Sequence, residues 1–201
     1  MREKVLSFPR SLRWLLLGSI IFAAGWSANQ WLWQPLPGAN SAEVQFARDM
    51  AAHHEQAVSM AAVLYNRSAD QELRIVALDI ILTQQAQIGQ MQGWLAVWDQ
   101  PVAGLRTPMS GMASHTMDGQ LMLTMGMATQ AEVNALTTLP LAEAERSFLR
   151  LMIRHHEGGV QMAQNILAEA DRADVVRVAN AIVVSQQSEI RTLQDMLADR
   201  Q

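Results

Sequence analysis

Soft-metal chemistry in this chain falls to histidine and methionine, because its 201 residues include five His and thirteen Met but no Cys. Four of the histidines form two adjacent pairs, His53-His54 and His155-His156, each followed by a glutamate, Glu55 and Glu157. Both triplets sit in copies of F-x-R-x-M-x-x-H-H-E-x-x-V-x-M-A, at residues 46–61 and 148–163. On a helix, Met50 neighbours both His53 and His54, and Met60 lies two turns beyond His53 on the same side. Met152, His155, His156 and Met162 repeat that arrangement. Imidazole serves copper, zinc, iron and nickel, whereas a thioether mainly selects Cu(I), so His with Met and without Cys points first to copper, as Cu(I), Cu(II) or both. The competing reading of the methionines is core filling, since a Met stripe at helical spacing packs well. Glu55 and Glu157 could accept a hydrogen bond from an imidazole and orient it, or stand as exposed charges near Arg48 and Arg150.

A second group of candidates lies between the motif copies. Met109, Met112, Met117, Met122, Met125 and Met127 follow one another closely in a stretch that also holds His115. Such a tract resembles the Met-rich segments with which exported copper proteins catch Cu(I) through several weak thioethers. Its alternative is an apolar flap packed through Leu121, Met122 and Leu123. Asp49, four residues before His53, is a possible carboxylate ligand.

These groups must be carried by helices. Half the residues are hydrophobic, with only 6 Pro and 11 Gly, which predicts an all-α domain. Shifting the sequence by 102 residues aligns its halves without a gap: the motifs match, and Gln84-Gln85-Ala86-Gln87-Ile88 meets Gln186-Gln187-Ser188-Glu189-Ile190. The repeating unit reads as a helical hairpin, residues 41–98 and again 140–201, joined by a Met-rich connection over 99–139. Two hairpins with a long crossover predict a ferritin-like four-helix bundle. Helix starts are expected at Asn40 with Glu43, Ser68 with Gln71, Thr129 with Glu132, Pro140, and Asp171 with Asp174.

The first 33 residues read differently. Residues 14–33, WLLLGSIIFAAGWSANQWLW, are uncharged and largely apolar, and Arg2, Lys4, Arg10 and Arg13 all precede them. This predicts a transmembrane helix serving as a signal-anchor, with the N-terminus cytoplasmic and the body outside the cytoplasm. Cleavage near Ala23-Ala24-Gly25 would instead release the body as a secreted protein. Residues 34–40, with Pro35 and Pro37, form a linker. Net charge is −4, and 11 Arg face 18 acidic residues beyond position 33, which excludes a nucleic-acid partner.

The doubled H-H-E-x-x-V-x-M-A helix around a Met-rich middle, followed by Q-Q-x-x-I, resembles the bacterial family catalogued as domain of unknown function 305. Its ferritin-like exported members include the copper-binding CopM type. The resemblance covers residues 41–199 and is most specific at Phe148-Leu149-Arg150-Leu151-Met152-Ile153-Arg154-His155-His156-Glu157. It implies copper binding through His53, His54, Met50, Met60, His155, His156, Met152 and Met162, tied to copper tolerance. The first copy departs from the pattern at Asp49-Met50-Ala51-Ala52, so its site can differ from the second.

Di-iron or hemerythrin-like chemistry is excluded because the second and fourth long helices carry no histidine and their carboxylates do not repeat. Hydrolase motifs are absent as well. The expectation is a non-catalytic copper binder of the cell envelope that sequesters the metal. A structural or interaction bundle with packed histidines is the alternative.

Overall fold

The computed structural model describes residues 14, 15, 17–23, 25, 26, 35–102 and 125–200. They fall into two units, Met1–Leu36 and Pro37–Gln201. In the first, the described residues between 14 and 26 are helical. The Phe22 and Trp26 rings stack at 6.2 Å, and Trp14, Ile20, Ile21 and Phe22 are exposed. Among the described residues no helix is long and apolar enough to cross a membrane, so the transmembrane helix expected over 14–33 is not found there. The helical stretch described is shorter than the roughly 20 residues that a crossing requires.

The second unit is all-helical among its described residues. Helix α1, Ala42–Arg67, begins one residue later than expected: Ser41, not Asn40, is its cap, and its hydroxyl accepts from the Val44 N–H. Helix α2, Gln71–Val97, is capped by Asp70, which accepts from the Glu72 and Leu73 N–H groups. Ser68, expected to cap α2, instead closes α1 through its N–H to Leu64 and donates its hydroxyl to Glu145 at 2.6 Å. A carboxylate two residues nearer the helix outcompetes it for the free N–H groups. Asp99 ends α2 in the left-handed region (φ 55°), letting the Gln100 N–H return to the Leu95 carbonyl. Helix α3, Gln130–Thr138, carries the expected capping box of Thr129 and Glu132. Pro140 directly precedes α4, Leu141–Leu167, and α5 spans Ala173–Ala198.

Two apolar clusters form the core. One joins the end of α1 (Ala57, Met60, Leu64), the start of α2 (Leu73, Ile80), the start of α4 (Phe148, Met152) and the end of α5 (Leu193, Met196). The other joins the start of α1 (Val44, Met50), the end of α2 (Met91, Leu95), the end of α4 (Ala163, Ile166) and the start of α5 (Val175, Ile182). Each of these four helices therefore contributes one half to each cluster, and α1 runs antiparallel to α4. Since α1 and α2 are also antiparallel, the connection after α2 must traverse the bundle lengthwise before α4 begins. At the far end Arg200 pairs with Asp70, and Arg67 donates to the Leu136 and Leu139 carbonyls.

Phe148 is fully buried in one cluster, and its repeat partner Phe46 is buried in the other. Phe148→Ala should lower unfolding free energy by about 3–5 kcal/mol, measured by urea denaturation, because α1 and α4 are too tightly paired to collapse into the void.

Candidate metal centre

The two apolar clusters do not merge at mid-bundle. Between them lie His53, His54, His155 and His156, all with zero exposure, together with buried Gln84 and Gln186. The repeat places these groups: the helical stripe that buries Met50 and Met60 on α1 also buries the histidine pair between them, and on α4 Met152 and its histidine pair are buried while Met162 is half-buried. The His53 and His155 rings meet at 3.7 Å between centroids with a 33° tilt. His54 and His156 lie 6.2 and 6.4 Å from their sequence neighbours. The four imidazoles thus form one layer across both halves, not two separate sites.

Their hydrogen bonds assign protons. His53 Nε2 lies 3.0 Å from the Met125 carbonyl, which only accepts, so this nitrogen carries the hydrogen. His54 Nε2 meets Gln87 Oε1 at 2.7 Å, and His156 Nε2 meets a Glu189 carboxylate oxygen at 2.5 Å. Gln87 and Glu189 are equivalent under the 102-residue shift, so the repeat includes the partners as well as the imidazoles. In His53 and His54, which burial keeps neutral, the donated Nε2–H leaves Nδ1 as a bare lone pair, and in His156 Nδ1 is likewise turned away from the Nε2 partner. None of these Nδ1 atoms has a protein hydrogen-bond partner among the described residues, nor does either nitrogen of His155. The side-chain amides of Gln84 and Gln186 are unpartnered too. An unsatisfied buried polar group costs about 1–3 kcal/mol, so a layer with this many calls for a polar guest.

Burial dominates the electrostatics. It pushes His53 down to about 4, against the opposing hydrogen bond to Met125, and His54 down to about 3, helped by the nearby His53. His155 falls well below the ordinary value, first through burial and then through its histidine neighbours. At neutral pH these three are uncharged, which is the ligating form.

A strap of non-helical chain covers the layer. Residues 125–128 are held by Gln56, whose amide donates to the Ala128 carbonyl and accepts from its N–H, and by Arg154, which reaches the Gly126 and Met127 carbonyls. Arg154 also pairs with Glu132 at 3.0 Å, holding that carboxyl below its usual range. The strap needs glycine twice. A Cβ on Gly126 (φ 71°) would meet the Arg154 carbonyl, and one on Gly158 would stand 1.9 Å from the Met125 carbonyl oxygen.

The structure separates the predicted residues into groups. The four histidines come together. Met50 belongs to one apolar cluster, against which Met162 packs half-buried, and Met60 and Met152 belong to the other, so the four thioethers flank the layer from both ends. Glu55 and Glu157 do not orient the imidazoles: both are exposed, and the acceptors come from α2 and α5. Residues directly after a buried pair point about a further 100° round the helix, which here turns them to solvent. Asp49, Met125 and Met162 line a surface cleft of about 430 Å³. Met127 is buried. Met109, Met112, His115, Met117 and Met122 lie outside the described residues. Among the described residues no group of three or more His, Asp or Glu side chains is placed so as to hold a metal ion, the four imidazoles included. Gln84, Gln87, Gln186 and Glu189 were not among the expected site residues, although the persistence of the repeat through Gln84–Ile88 was the signal for them.

If the buried imidazoles are neutral in the native state, the unfolded chain takes up protons first as pH falls below 6.5. Stability should then decline continuously from pH 6.5 toward 4, with proton uptake on unfolding approaching three per molecule. Denaturation free energies measured across that range check this, and a flat profile would contradict it.

A family model described as Domain of unknown function (DUF305) matches residues 43–197. Among solved structures, a DUF305 fragment from Deinococcus radiodurans is 43% identical, covering 81% of this chain and 99% of its own, with a TM-score of 0.69. A DUF305 protein from Streptomyces coelicolor is 42% identical with a TM-score of 0.71, over 81% of this chain and 96% of its own. CopM in its Cu(II)-bound form is 28% identical with a TM-score of 0.64, and in its Cu(I)-bound form 26% identical with a TM-score of 0.62. Both cover 78% of this chain and 96% of their own. No curated protein matches the sequence.

Proposed function

The chain belongs to the DUF305 family, and we propose that within it this protein is a non-catalytic copper binder that holds the metal in its mid-bundle imidazole layer. The observation that carries the reading is the set of buried, unpartnered Nδ1 atoms of His53, His54 and His156, each in a ring whose Nε2 is already committed to a carbonyl or carboxylate. A metal-bound imidazole is held in that way, with one nitrogen on the ion and the other fixing the ring. His155 adds a fourth ring with both nitrogens available. Copper is favoured over zinc by the thioethers of Met50, Met60, Met152 and Met162 on either side of the layer in a Cys-free chain. The Cu(I)- and Cu(II)-bound forms of CopM, a similar bundle, support the same choice. Copper is here the cargo, sequestered in the cell envelope and so protecting the cell from it. The uncharged stretch at 14–33 and its basic N-terminal flank support an anchored protein with its body outside the cytoplasm. A second reading, in which the layer only packs the bundle, is favoured by the complete burial of Met50, Met60 and Met152 in the apolar clusters.

Titration of the purified protein with Cu(I) and with Cu(II) separates the two. The copper reading expects saturable binding that is lost in the His53→Ala, His155→Ala double variant, and a raised melting temperature on loading. Copper at 100 times its Kd should add about 2.7 kcal/mol of stability. Unchanged stoichiometry and affinity in the double variant would overturn it.

Glu189→Leu removes the acceptor that fixes the His156 ring, and should weaken copper binding about 10–100-fold, while Glu189→Gln, which copies Gln87, should restore most of it. Competition with a chelator of known affinity measures both.

A further inference from the structure

The imidazoles are completely enclosed, so any guest reaches them only when something moves. Helices α1, α2, α4 and α5 supply most of the enclosure, and they are locked by the two apolar clusters. The strap at residues 125–128 is short: it buries Met127 and sets Ala128 in one apolar cluster, and the rest of its attachment is polar. Its backbone is fastened through Gln56 and Arg154 by hydrogen bonds that water can replace, and Gly126 and Gly158 bring it against α4 with no side chains between. Met125 faces both ways: its carbonyl accepts from His53 inside the layer, while the residue also lines the outer cleft with Met162, Asp49 and Glu169.

We propose that residues 125–128 are the gate to the imidazole layer, latched by Gln56, and that Met125 links the outer cleft to the buried pair. Lifting the strap removes the Met125 carbonyl from His53 Nε2 and uncovers the ring contact between His53 and His155. Opening breaks the latch hydrogen bonds, vacates the notch at Gly158 and exposes Met127 and Ala128, but it requires no separation of helices. Such local opening is far more frequent than global unfolding.

The inference gives the copper reading its entry route, but its test does not depend on copper. Diethyl pyrocarbonate acylates neutral imidazoles that it can reach, and mass spectrometry of the metal-free full chain follows the rate at His53 and His155. Gln56→Ala removes both latch bonds and should raise that rate about tenfold, with circular dichroism and the urea midpoint close to wild type. Gly158→Ala, which drives a methyl group into the Met125 carbonyl, should do the same. Gln130→Ala, on the exposed start of α3, should change nothing. If Gly158→Ala fails to fold, Gln56→Ala decides alone. A wild-type modification rate in folded Gln56→Ala would overturn the gate. Failure of wild-type protein to bind copper would overturn the function and leave the acylation result standing.

Discussion

Burial of polar nitrogen in an apolar bundle is the constraint on which this structure turns. Four imidazoles and two carboxamides occupy the middle of a core that is otherwise built of Leu, Ile, Val, Ala, Phe, Met and Trp98. Placing such groups out of water is unfavourable unless each finds a partner. The fold meets this partially: Gln87, Glu189 and the Met125 carbonyl each satisfy one nitrogen. Burial keeps at least three of the rings neutral, so the layer resists protonation while retaining its lone pairs. The core is consequently divided, with an apolar cluster on each side insulating the layer from solvent along the bundle axis.

Antiparallel pairing of α1 and α4 follows from the same constraint. A duplicated hairpin can bury its histidine pair against its own copy only if the two motif helices cross at their equivalent positions, which brings His53 to His155. That pairing obliges the chain to run the bundle's length between hairpins. The long connection is therefore a geometric necessity of the duplication, and its last residues pass directly over the layer as they descend to α3.

Much of this was legible in the sequence because helical periodicity and a gapless repeat are one-dimensional signals. The all-helical body, the Thr129 capping box and the equivalence of the two histidine pairs could be read there, whereas the meeting of the pairs in one buried layer could not. The apolar N-terminal stretch was legible too, but the described residues contain no helix long enough to cross a membrane. The partners of the imidazoles were not legible as such. Glu55 and Glu157 are adjacent in sequence and point away, whereas Gln87 and Glu189 are 33 residues distant and one helix across. Nor could periodicity find the strap, whose placement depends on backbone carbonyls and on two glycines. Cap positions shifted by one or two residues wherever several Ser, Asn and Asp competed for the same N–H groups.

The strap also breaks the symmetry from which the protein was built. At equivalent places in the two motifs stand Gln56 and Gly158: the first must have a long amide to grip Ala128, and the second must have no side chain at all. Neither residue can serve in the other's position. Exchange between the two halves of the gene, which their similarity would otherwise permit, would install a glycine with nothing to grip or a glutamine with nowhere to go. The contact therefore makes the two copies, alike in most of the motif, non-interchangeable at this one position.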